Sequence, residues 1–179
     1  PHGRPLLFQA GSSGRGMQFA LDHAEVIFGI QPHVAGMRKG MDQLRTAAAA
    51  QGKNQEAKMI FGLQPIVRST EAEARQRMEE LTQRIPLDAI LARLSGVFGV
   101  DLSKYDPEMP LAEMETQASR GLMSATVTGA DGKAITLREA ASKWALSVAI
   151  PQIVGTPEQV ADELERIWRE TGCHGFNLS

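Results

Sequence analysis

Residues 5–28, PLLFQAGSSGRGMQFALDHAEVIF, constrain the chain more than any other stretch. Leu6, Leu7 and Phe8 form a short apolar run opened by Pro5 and closed by Gln9-Ala10-Gly11, the pattern of a strand buried on both faces. A polar turn follows. Ser12 and Ser13 can cap a helix whose apolar residues Met17, Phe19, Ala20 and Ala24 lie mostly on one side, and Val26 to Phe28 restart a strand. The stretch reads as strand, glycine-serine turn, helix and strand.

The first turn of that helix contains no acid, whereas most other helix starts in the chain do. Thr70 precedes Glu71 and Glu73, Thr136 precedes Glu139, and Thr156 precedes Pro157 and Glu158; these are capping boxes or acid-biased first turns that answer the positive end of a helix dipole. Here Gly14, Arg15 and Gly16 stand instead. Backbone N–H groups, two hydroxyls, small residues and one cation suit an anion, and a phosphate best of all. A carboxylate about 4 Å from a phosphate would cost roughly 4 kcal/mol at an effective dielectric near 20. An ordinary strand-to-helix turn in which Ser13 merely caps fits the same residues.

Two familiar phosphate loops are excluded. No Gly-Lys-Ser or Gly-Lys-Thr follows, and GSSGRG lacks the third glycine of a dinucleotide turn. A mononucleotide or a sugar phosphate remains.

Past Gly29-Ile30-Gln31-Pro32, the residues Val34, Met37, Met41, Leu44 and Ala48 recur at helical spacing and run to Gly52. Met59 to Leu63, resumed by Ile66 and Val67, predict another buried strand in which Pro65 ends regular pairing or marks a bulge. Thr70 to Arg84 is the clearest helix, with Ala74, Met78, Leu81 and Ile85 on one face. Strand and helix alternate with short loops, which argues for an α/β fold with parallel strands. From Pro86 to about Ile135 the rhythm fails. Ala89 to Val97 reads as helical, but glycines and prolines punctuate the rest, and an irregular insertion 86–135 suits a lid or a binding loop. Helices are expected again over Thr136–Val148, after which Ile150-Pro151 reads as a break. The last helix opens at Thr156-Pro157, with Val160, Leu164, Ile167 and Trp168 inward, and precedes a strand at Gly175-Phe176-Asn177-Leu178.

The chain has 179 residues, 42% of them hydrophobic and 22% charged, so it is globular with material for one sizeable core. A net charge of −2 with scattered Lys and Arg argues against nucleic-acid partners and an anionic membrane surface. The single cysteine, Cys173, excludes an intrachain disulfide framework and reads as a small buried residue beside the last strand. No apolar stretch is long enough to span a bilayer and the amino end resembles no signal peptide, so a cytoplasmic protein is expected. His23, His33 and His174 form no metal-ligand spacing with acids, and no metal is expected. The start at Pro1 and the stop on a buried-type strand suggest a piece of something larger.

Two segments, QAGSSGRGMQFALDHAEVIF and IVGTPEQVADELERIWRETGCHGFNLS, together resemble the bacterial-luciferase-like flavin monooxygenases. The subgroup is that of nitrilotriacetate monooxygenase component A, dibenzothiophene sulfone monooxygenase and long-chain alkane monooxygenase. The resemblance runs over nearly all of residues 1–179, loosely across the insertion. It implies a (β/α)8 TIM barrel of which this chain is about the second half, strands 5 to 8. It also implies reduced FMN (FMNH2) supplied by a separate NAD(P)H-dependent flavin reductase, oxygenation of a small organic substrate with O2, and a homo-oligomer.

By the same resemblance Gly11, Ser12 and Ser13 fall on the phosphate-binding turn, with Gly14 and Arg15 beside it. Met17 stands where the family's motif has Arg, so Arg15 is the available cation. His174 stands where the family often has Asp. Gln9 and Asn177, near strand ends, are weaker candidates for lining a pocket, and no catalytic side chain is assigned. Flavin supplies the redox chemistry, which leaves the protein to position it and exclude water. A barrel enzyme that binds a sugar phosphate without flavin, and a non-catalytic remnant, are the alternative readings.

Overall fold

The computed structural model describes residues 3–10, 14–52, 57–113, 134–147 and 150–179. They fall into two compact units: Pro1–Arg75 with Ala149–Ser179, and Gln76–Val148. The first holds a parallel sheet. Its strands are β1 (Phe8–Ala10), β2 (Val26–Gly29), β3 (Lys58–Val67), β4 (Gln152–Gly155) and β5 (Gly175–Leu178). Helices α1 (Gly14–His23) and α2 (Val34–Ala50) follow β1 and β2, α3 (Glu71–Gln83) follows β3, and α6 (Pro157–Thr171) lies between β4 and β5.

Strand β3 is the hub. It pairs with β2 from Val26↔Lys58 to Gly29↔Phe61, with β5 from Ile60↔Gly175 to Leu63↔Leu178, and with β4 from Gln64↔Gln152 to Val67↔Gly155. In a parallel ladder a residue's N–H and C=O point to one side and alternate along the strand. Lys58 N donates to Glu25 O at 2.8 Å, Gln64 N to Pro151 O at 3.0 Å and Arg68 N to Gly155 O at 3.2 Å, so the even positions serve β2 and then β4. Met59 O and Leu63 O instead accept from His174 N and Ser179 N, so the odd positions serve β5. Thus β4 continues the edge that β2 begins, beyond the end of β2. This arrangement also explains Pro65, which lies within a continuous strand and does not end it. Its missing N–H falls on the β5 side, past the ladder bond at Leu63, where a proline removes no pairing to β4.

One expectation for the strands is corrected, and one strand is added. Strand β1 begins two residues later than the apolar run, and Leu6, Leu7 and Phe8 are 60%, 38% and 58% exposed. Among the described residues it pairs only with β2 and no element covers its other side, so it is not buried on both faces. Strand β4, a four-residue element that follows the break at Ile150-Pro151, has no counterpart in the sequence reading. QIVG is too short to show a period.

Direct partners across a parallel sheet share a face. On one face Ile27, Met59, Phe61 and Leu63 pack with Met17, Ala20 and Leu21 of α1, with Met37, Met41, Leu44 and Ala48 of α2, and with Val160 and Ile167 of α6. The buried α1 set is therefore Met17, Ala20 and Leu21, while Phe19 is 52% exposed and its ring lies 4.7 Å from that of His23. In α6 the inward face is Val160, Leu164, Ile167 and Thr171, and Trp168 stands 51% exposed at its margin. Cys173 is buried in the same core.

The second unit takes in more than residues 86–135. Helix α4 (Leu87–Phe98), the 3-10 turns Leu102–Lys104 and Leu111–Glu113, and α5 (Leu137–Trp144) bury Ile90, Leu91, Leu94, Phe98, Leu102, Leu111, Leu137, Ala141 and Trp144. The Phe98 and Trp144 rings stack at 5.5 Å. Among the described residues no helix is long and apolar enough to cross a membrane.

Candidate functional site

Because the strands run parallel, their carboxyl ends share one rim of the sheet, and helices α1, α2, α3 and α6 begin there. Each helix start carries backbone N–H groups that need acceptors. At α3, Thr70 Oγ1 accepts from Glu73 N at 3.2 Å, and the Glu73 carboxylate accepts from Thr70 N and Oγ1, each at 3.0 Å. At α6, Thr156 Oγ1 accepts from Gln159 N at 3.3 Å and Gln159 Oε1 accepts from Thr156 N at 2.9 Å. Gln159 Nε2 then reaches the Glu71 carboxylate at 3.0 Å, tying the two helix starts together. That bond, and then the Arg75 guanidinium, hold the Glu71 carboxyl below its ordinary value.

At α2 there is no acid in the first turn, and the His33 ring supplies the cap, its Nδ1 accepting from Gly36 N at 2.9 Å. An acid-free first turn is therefore common to α1 and α2. The first turn of α1 holds no acid and begins at Gly14, directly after residues 11–13. Gly11, Ser12 and Ser13 lie outside the described residues. Gly14 and Arg15 are exposed on that first turn, and a β-carbon on Gly14 would meet nothing within 4 Å. Among the described residues no ion pair or side-chain hydrogen bond involves Arg15.

The register separates the two weaker candidates. Gln9 is the partner of Ile27, so it lies on the helix-covered face, and its amide donates to the adjacent Ala10 carbonyl at 2.9 Å. Asn177 is the partner of Gly62, on the opposite face, and is exposed. That face also carries features that periodicity does not show. A β-carbon on Gly62 would stand 2.8 Å from Ile150 Cγ2 and 3.4 Å from Phe28 Cζ, and Gln152 Nε2 donates to Gln64 Oε1 at 3.1 Å. Only a glycine inside the apolar β3 run hinted at this close approach.

The luciferase-like monooxygenase family model matches residues 1–175. The chain belongs to that family. Luciferase-like relatives include the dimethyl-sulfide monooxygenase of Hyphomicrobium sulfonivorans, 35% identical over 181 residues, an alignment covering 100% of this chain and 38% of that protein. The crystal structure of DmoA from Hyphomicrobium sulfonivorans superposes with a TM-score of 0.83 at 33% identity, over 97% of this chain and 37% of that one. That of a riboflavin lyase, RcaE, with modified FMN and the substrate riboflavin, superposes with a TM-score of 0.76 at 29% identity, over 100% of this chain and 39% of that one. The chain thus spans about two fifths of the length of these relatives, and its sheet is a partial luciferase-like barrel, as the sequence leads one to expect.

In this luciferase-like framework the rim at the carboxyl ends of the strands is the face on which barrel enzymes carry their sites. The α1 start lies on it. Among the described residues no group of three or more His, Cys, Asp and Glu side chains could hold a metal ion.

Proposed function

We propose that the whole protein is a flavin-dependent monooxygenase in which the turn at residues 11–13 and the first turn of α1 receive the phosphate of reduced FMN. The observation that carries this reading is the helix start itself: Gly14 is open, Arg15 is exposed, and no acid stands in the first turn. The neighbouring starts at α3 and α6 are closed by their own Glu73 and Gln159, and that at α2 by His33. These residues fit a phosphate monoester, with Ser12 and Ser13 as hydroxyl donors, the α1 amides along the dipole and Arg15 as the cation.

Bound there, the flavin would supply the redox chemistry of O2 activation. The residues of this chain contribute position. Seating the phosphate on the rim orients the ring system relative to the sheet. The apolar face of Phe28, Ile60, Gly62 and Ile150 can keep water from that side. Relatives named monooxygenases of dimethyl sulfide and nitrilotriacetate, and the modified FMN in the riboflavin lyase structure, support the assignment. A small organic substrate, O2 and a separate NAD(P)H-dependent flavin reductase belong to the proposal.

Titration of the protein with FMN and, separately, with simple sugar phosphates tests it. FMN is expected to bind, and the double variant Ser12→Ala, Ser13→Ala to bind it at least tenfold less tightly. Binding of sugar phosphates without FMN, or unchanged FMN affinity in the double variant, overturns the reading.

A further inference from the structure

The junction that joins the last strand to the hub of the sheet is made by a histidine. His174 immediately precedes β5, and its backbone N–H donates to Met59 O at 2.9 Å. In return Met59 N donates to His174 Nδ1 at 3.0 Å. The two residues therefore close a reciprocal ring at the start of the β3–β5 ladder. Met59 is fully buried, and His174, although exposed as a whole, turns its Nδ1 edge onto β3.

We propose that His174 is a pH-operated latch, its neutral imidazole closing β5 onto β3 and its protonation releasing that closure. An imidazole nitrogen accepts a hydrogen bond only while it carries no proton; in the imidazolium both nitrogens are donors. The Met59 carbonyl already takes the His174 backbone N–H, so a protonated ring would have to compete for it and would leave Met59 N–H without its partner.

The surrounding charges push in the same direction. Among the described residues, β3 contributes Lys58 and α2 contributes Arg45, which also pairs with Asp42 at 3.0 Å. The Arg45 guanidinium reaches the chain two residues earlier, its Nη2 lying 2.7 Å from where a β-carbon on Gly172 would stand. Partial burial, then the Lys58 ammonium, hold the imidazole below its ordinary value of 6.5, and Arg45 adds to them. The unfolded chain therefore takes up this proton first. Stability from the latch is complete above pH 6.5 and declines as pH falls below it.

His174→Asn separates this role from ordinary packing, because Asn Oδ1 occupies the place of Nδ1 and accepts at every pH in the range. Urea unfolding of the chain and of H174N is compared between about pH 8 and about pH 5. The native chain is expected to lose roughly two- to tenfold in its folding constant relative to H174N as pH falls. The protection of the Met59 amide against hydrogen exchange should fall over the same range in the native chain, which reads the latch even if H174N folds poorly. Parallel pH profiles of the native chain and H174N, or a Met59 protection factor that does not change with pH, overturn the proposal.

Discussion

The ring of Phe61 fills the space that a side chain on Gly29 would need: Cε1 lies 2.7 Å from where a β-carbon would stand. The two residues are direct partners across β2 and β3, at the point where β2 ends and the chain turns into α2. Gly29→Ala should destabilise the first unit by about 1–3 kcal/mol, since Phe61 is buried on all sides and has no room to withdraw. Equilibrium urea unfolding measures this, and a midpoint equal to that of the parent chain would contradict the geometry.

The second unit depends on Phe98 and Trp144, which stack at 5.5 Å and are both buried. Phe98→Ala should cost about 3–5 kcal/mol. Because Trp144 is 5% exposed against Trp168 at 51%, its loss of packing should appear as a red shift and quenching of the buried component of tryptophan fluorescence. A Trp168→Phe background isolates that signal.

At the start of α6, Thr156→Ala removes the hydroxyl that accepts from Gln159 N and should cost about 0.5–2 kcal/mol. Gln159→Ala makes a different, site-specific prediction. Glu71 loses the first of the groups that hold its carboxyl down, and its titration, followed by carboxyl-carbon NMR, should move up toward the ordinary value of 4.5. No movement would mean that Arg75 alone sets it.

At the candidate flavin site, Arg15→Glu places an acid in the one rim helix start that has neither an acid nor a described cap. FMN affinity should fall by more than tenfold, while Arg15→Gln should lose less, because it removes a cation without adding repulsion. Equal losses in the two variants would show that the Arg15 position does not face the phosphate.

The features legible from the residues alone are those whose partners lie within one helical turn. The capping pairs Thr70–Glu73 and Thr136–Glu139 close between a residue and its neighbour three positions on, so their chemistry is written in order along the chain. The buried face of α2, Met37, Met41, Leu44 and Ala48, follows from the period of the helix in the same way. The acid-free start of α1 is likewise local, and so are the two family segments that imply a partial barrel.

What the tertiary structure decided depends on partners far apart in sequence. Which edge of β3 receives β4 is set by the parity of Lys58, Gln64 and Arg68, and Gln64 and Arg68 donate there to a segment that is too short to signal its own strand. Gln9 and Asn177 both sit near strand ends, yet their register partners, Ile27 and Gly62, place them on opposite faces. Exposure of Phe8, Phe19 and Trp168 follows from which neighbours are present, since an apolar side chain is buried only where another element supplies the surface against which water is excluded.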